Sequence, residues 1–146
     1  MIAIIRIRDQ EHSKELCQLD LMRFSEDQVR ERMRERGIRD DAFFICGFID
    51  WDVNNIMSLE LAYALKRCIL ELYNGDETLV ADLLKRHVLP AAIISRYYRF
   101  ISRDEYEVAS YLLEHTNISQ FMVAKALEDE LLVSTKNGFY LVDTTI

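Results

Sequence analysis

Proline is almost missing from this 146-residue chain, with one residue, and glycine is scarce at four. So few backbone breakers, in a sequence that is 50% hydrophobic, exclude a disordered or linker-rich protein. No apolar run approaches the roughly 18 residues that cross a bilayer. Met1-Ile2-Ala3-Ile4-Ile5 is too short and wrongly flanked for a signal peptide, so a cytoplasmic protein without membrane contact is expected. Cysteine is thin as well. Cys17, Cys46 and Cys68 are odd in number, widely spaced and set among apolar neighbours. They read as reduced thiols serving as small hydrophobes, not as a disulfide or metal site.

The motifs of common enzyme chemistry are also absent. The sequence holds no phosphate loop, no Gly-rich dinucleotide turn, no nucleophile elbow and no paired metal-ligand motif. His12, His87 and His115 stand alone, and His87 falls on an apolar helical stripe, where a core histidine is expected. Asp50 and Asp52 share one side if the chain is extended there, but no third polar partner lies nearby in sequence. No catalytic residue, metal or cofactor is therefore expected. Asp50-Trp51-Asp52 instead suits a presentation loop, with Trp51 as the anchor for a protein partner.

The most informative stretch runs from Phe43 to Tyr73. Phe43 to Cys46, with Phe48 and Ile49, predicts a buried strand in which Gly47 lets another backbone come close. Ser58 then caps a helix whose apolar stripe is Leu61, Ala62, Leu65, Cys68, Ile69 and Leu72, ended by Asn74-Gly75. Upstream, Ile2 to Arg8 and the alternating Leu16 to Leu21 predict two strands. Ser25 and Gln28 form a capping box for an Arg- and Glu-rich helix that stops at Gly37. Its arginines interleave with acids at i+4 spacing, a solvated salt-bridged face more than a nucleic-acid patch.

Downstream, Asp76 caps a helix bearing Val80, Leu83 and Leu84, and Pro90 starts one carrying Ile93, Ile94, Tyr97, Tyr98 and Ile101. Ser102 with Glu105 opens a helix to His115 whose inner face is Tyr106, Ala109, Leu112 and Leu113. A short helix capped by Ser119 follows. Asn137-Gly138, between two apolar runs, predicts a terminal hairpin. The fold class is α+β: a β-β-α-β unit near 1–53, a helical unit near 54–101, and acidic helices with a hairpin near 102–146.

The net charge of −7 is uneven. Residues 104–146 carry Lys125 and Lys136 against eight acids, a net −6. Asp104, Glu105 and Glu107 crowd a helix start, Glu114 follows, and Glu128-Asp129-Glu130 precede the hairpin. Acidic helix starts are ordinary capping; carboxylates so spaced can also imitate phosphates. An acidic end repels nucleic acid and attracts whatever binds it.

The order of these features resembles the antirestriction ArdA family of DNA mimics. The likeness runs from Phe24-Ser25-Glu26-Asp27-Gln28-Val29 to Gly37-Ile38, then through Phe48-Ile49-Asp50-Trp51-Asp52 and Ser58-Leu59-Glu60-Leu61-Ala62-Tyr63-Ala64-Leu65. Asp104 to Glu114 looks like the family's later acidic helix, and Leu132 to Val142 like its terminal hairpin. Leu127-Glu128-Asp129-Glu130 stands where the family usually has an aromatic-Gly-Arg-Asp element.

The resemblance implies a non-enzymatic inhibitor from a phage or mobile element, acting in the host cytoplasm. Its carboxylates Asp50, Asp52, Asp104, Glu105, Glu107, Glu114, Glu128, Asp129 and Glu130 would occupy the DNA channel of a type I restriction–modification enzyme. A CRISPR complex or another protein-interaction role is the alternative. In neither case does the chain bind nucleic acid itself. A homodimer is expected through Leu132, Phe139, Tyr140 and Val142, because a two-stranded hairpin apolar on both faces is marginal alone and invites a twin copy.

Overall fold

The computed structural model describes residues 1–9, 12–115, 117–129 and 132–141. Its order is β1 (Ile2–Asp9), β2 (His12–Asp20), α1 (Glu26–Glu35), β3 (Phe43–Phe48), β4 (Val53–Met57), α2 (Leu59–Leu72), α3 (Thr78–Lys85) and α4 (Pro90–Ser95). Then come α5 (Glu105–His115), α6 (Ile118–Glu128), β5 (Leu132–Thr135) and β6 (Gly138–Leu141). The fold is α+β, as the pattern predicts. It divides into two compact units, Met1–Tyr98 and Arg99–Ile146. The expected three-way division therefore becomes two-way, because the stretches 1–53 and 54–101 share one core. Phe48, Leu65, Ile69, Val80 and Ile93 belong to the same buried cluster.

The first unit is built on a four-stranded sheet of order β2-β1-β3-β4, with every neighbouring pair antiparallel. The crossover β2-α1-β3 follows from that order, since β2 and β3 flank β1. Ala3 and Ile5, alternate residues of β1, and Ile45 and Phe48 of β3 are fully buried on the side turned to the helices. From the other side Val29 and Met33 of α1, and Ala62, Leu65 and Ile69 of α2, complete the core. The opposite face keeps Ile2, Ile4, Arg6 and Phe44 half-buried. There the Arg8 guanidinium lies 5.2 Å from the Phe44 ring centroid.

Local signals hold in several places. Ser25 and Gln28 exchange both bonds of the capping box, and Ser58 Oγ accepts from the Leu61 amide at 3.1 Å. The loop before α1 is fastened to α2 by polar contacts that periodicity does not reveal. Lys66 Nζ donates to the Leu21 carbonyl at 2.7 Å, and Tyr63 OH to the Phe24 carbonyl at 2.7 Å. Burial, helped by nearby Glu26, pushes the Tyr63 hydroxyl up to about 12.

Other expectations are corrected. His87 is exposed, not a core residue: α3 ends before it, and its φ of 62° puts it in the left-handed turn that leaves the helix. The helix from Pro90 stops at Ser95, because Arg96 is extended, so Tyr97, Tyr98 and Ile101 are not on it. α6 is capped by Asn117, whose Oδ1 accepts from the Gln120 amide at 3.3 Å, and not by Ser119. Val53–Met57, for which the sequence pattern predicts no strand, is an edge strand. Its two asparagines weaken the strand signal, yet Val53 and Met57 both point into the core.

In the second unit α5 turns Val108, Tyr111 and Leu112 to half-buried positions, the i, i+3, i+4 spacing of a helical face. Tyr106 and Leu113, assigned to that face from the sequence, are 85% and 65% exposed. The hairpin forms with Leu132 opposite Leu141 and Val133 opposite Tyr140. Its turn residues are Lys136 and Asn137, with Gly138 opening β6 at φ 125°. Among the residues of this unit whose side chains the structure describes, none is buried.

Candidate functional site

Asp50-Trp51-Asp52 lies in the turn from β3 to β4, with Trp51 turned inward between two exposed aspartates. Trp51 is 6% exposed, with its ring centroid 4.6 Å from that of Phe48. Its indole Nε1 donates to Glu77 Oε2 at 2.9 Å. Trp51 is thus a core residue and not an exposed anchor for a partner. Asp50, although exposed, is tied to the chain start: Oδ2 accepts from the Met1 amino group at 2.6 Å and Oδ1 from the Ile2 amide at 2.7 Å. Glu77 Oε1 accepts from the same amino group at 3.2 Å, and Asp20 lies 4.0 Å away. Three carboxylates from separate segments enclose one cation.

That arrangement also separates Asp50 from Asp52. Asp52 is exposed and adopts φ 53°, so the extended spacing that would align the two side chains is absent. Glu77 was invisible in the sequence. It stands beside Asp76, whose Oδ1 accepts from the Thr78 amide at 2.9 Å, and it looks like one more acid at a helix start.

The site has a pH signature. Desolvation lowers the Met1 amino pKa, but hydrogen bonds to Asp50 and Glu77 outweigh it and hold the group above its ordinary 8.0. Burial pushes Asp50 up, but the amino group and the Ile2 amide more than offset this and keep it below 3.8. The raised amine stabilises the fold fully below pH 8.0 and loses that contribution as pH climbs through its folded value. The lowered carboxylate stabilises above pH 3.8 and loses its contribution as pH falls through its folded value. Urea unfolding across pH is expected to give a plateau between these limits. Asp50→Asn should flatten the acid limb and move the alkaline limb to lower pH; an unchanged profile would refute the linkage.

The remaining candidate acids lie in the second unit. Asp104, Glu105, Glu107, Glu114, Glu128 and Asp129 are all exposed. Some are engaged locally. Asp104 Oδ1 accepts from the Tyr106 amide at 3.0 Å, and Ser102 donates to Glu107 instead of forming the expected box with Glu105. Lys125 Nζ lies 3.1 Å from Asp129 and 3.9 Å from Glu128, an exposed contact of small energy. Glu130 falls outside the described residues, as does Val142 of the expected dimer face. Of the other residues of that face, Phe139 and Tyr140 are 66% and 59% exposed and Leu132 is half-buried.

Among the described residues no helix is long and apolar enough to cross a membrane. No family model, no curated protein and no solved structure matches this chain.

Proposed function

We propose that the chain is a non-enzymatic inhibitor that imitates DNA and occupies the DNA-binding channel of a defence enzyme, a type I restriction–modification complex in the first instance. The observation that carries this reading is the second unit. Residues 99–146 hold four basic against eight acidic side chains, and the six described acids named above all face solvent. The order of motifs shared with the ArdA family supports the choice of target. The burial of Trp51 leaves the mimic surface to the second unit, with the exposed Asp52 and the exposed Asp50, which is held by the Met1 amino group.

Duplex DNA presents one charge per ~1.7 Å of axis. A single unit of net −4 matches a short stretch of it, so the reading includes a homodimer joined through the exposed apolar side chains Phe139 and Tyr140. The half-exposed Val133 opposite Tyr140 extends that face. The same apolar side chains support a second reading, in which the unit binds a CRISPR effector or another protein through hydrophobic contact.

The test is competition for DNA binding by a purified type I restriction–modification enzyme. The wild-type chain is expected to displace DNA, and added salt to weaken it. Asp104→Asn/Glu105→Gln/Glu107→Gln should lose about tenfold or more, since close charge pairs at interfaces carry ~1.5 kcal/mol upward. Tyr140→Lys should halve the sedimentation mass from twice 17.2 kDa and weaken competition in parallel. Unchanged DNA binding at excess inhibitor would sink mimicry. Binding that is indifferent to salt and to the triple variant would favour the hydrophobic reading.

A further inference from the structure

Between β2 and α1 the first unit holds a cavity of about 170 Å³. That is close to the ~150 Å³ of an apolar cavity that takes a benzene ring. Leu19, Val29 and Met33 give it an apolar floor, and Phe24 forms one wall. Val29 and Met33 are 3% and 5% exposed and belong to the core. The Phe24 wall is held from behind by the Tyr63 hydroxyl and Lys66, both donating to its carbonyl. The apolar floor is therefore preformed, and binding has only to order the rim side chains.

The rim has the opposite character. Arg32 and Arg36, one turn apart on the same side of α1, both line the cavity. Like charges at i, i+4 disfavour a helix. The neighbouring arginines of α1 are differently placed: Arg30 meets Glu26 at 3.0 Å and Arg34 meets Asp40 at 2.8 Å. Among the described residues Arg32 and Arg36 have no ion-pair partner within 4.0 Å. Glu31 and Glu35 line an adjoining groove on the far side of Arg32 without pairing with it. Gln28 adds a third donor, since its Oε1 is committed to the Ser25 amide and its Nε2 is left for the rim.

We propose that this cavity binds a small aromatic carboxylate, with the ring on Leu19, Val29 and Met33 and the carboxylate across Arg32 and Arg36. A planar anion relieves the repulsion between the two guanidinium groups and accepts paired N–H bonds from them. A neutral ring would gain the floor and leave the rim unused. A bare inorganic anion would leave the floor uncovered.

Cys17 also lines the cavity and reports on its occupancy. Iodoacetamide alkylation at mildly alkaline pH, followed peptide by peptide, reads Cys17 against Cys46 as an internal control. Benzoate at ten times its dissociation constant should slow Cys17 about elevenfold by mass action and leave Cys46 unchanged. Benzyl alcohol, of similar size and no charge, should protect much less. Arg32→Ala/Arg36→Ala, at two exposed positions, should abolish benzoate protection, and Arg32→Lys/Arg36→Lys should keep part of it. The proposal is overturned by unprotected Cys17 at saturating benzoate, by equal protection from benzyl alcohol, or by full protection in the double alanine variant.

Discussion

Trp51→Ala should lower the stability of the first unit by about 3–5 kcal/mol, the usual cost of deleting a buried tryptophan. Two losses combine. The ring packed on Phe48 leaves a cavity, and Glu77 loses the indole N–H while remaining beside the Met1 amino group. At ~4–8 °C per kcal/mol for a domain of this size, the melting midpoint should drop by about 12 °C or more. Trp51→Phe separates the terms, since it keeps most of the apolar contact and removes the donor; a loss of ~1–2 kcal/mol is expected. A surface anchor would behave differently, losing partner binding with the melt unmoved. Thermal unfolding of the two variants distinguishes the cases, and an unshifted melt for Trp51→Ala would refute the buried position.

Gly47→Ala is expected to be the most damaging single-methyl addition in the sheet. A Cβ at Gly47 would meet the Val53 carbonyl oxygen at 2.2 Å and the Asn54 Cα at 3.2 Å. Both obstacles are backbone, so no rotamer change makes room. The β3–β4 pairing, already irregular between Ile45 and Gly47, would have to open. Overpacking of this kind costs ~1–3 kcal/mol and sometimes more. Gly75→Ala supplies the contrast. Gly75 sits at φ 82° with nothing within 4 Å of the added Cβ, so only the ~1 kcal/mol of a left-handed residue applies. Urea midpoints should rank Gly47→Ala below Gly75→Ala. The reverse order would contradict the close approach of β4.

That close approach was legible in the sequence, and the reason is general. A lone glycine inside an apolar strand run has few other uses, so Gly47 points to a neighbouring backbone, and β4 supplies it. The β1 and β2 strands, the Ser25–Gln28 box, the Ser58 cap and the terminal hairpin were readable because each rests on residues close together in sequence. Trp51 was misread, and the Asp50 contact with the chain start went unseen, because their environment is set from far away. Glu77 and the Met1 amino group lie 26 and 49 residues from them, and no local pattern records such a meeting. His87 failed for a different reason: the apolar stripe continues past the end of α3, while the chain has already turned left-handed. The cavity at Arg32 and Arg36 was hidden by the even mixture of charges on α1, where ion pairing had to be resolved residue by residue.

The strand order of the first unit also bears on how this protein avoids uncontrolled self-association. Both outer strands of the sheet, β2 and β4, present unpaired backbone that could template another strand. Each is blunted in its own way. β4 is five residues long, with Asn54 and Asn55 at its centre and an irregular pairing to β3. β2 carries His12, Ser13, Lys14 and Glu15 on its outer half, and its pairing to β1 shifts register between Ile5 and Arg6. A bent, charged margin and a short, amide-bearing one are poor templates for edge-to-edge growth. The sheet thus ends where it ends, and fibre-like stacking through it is disfavoured.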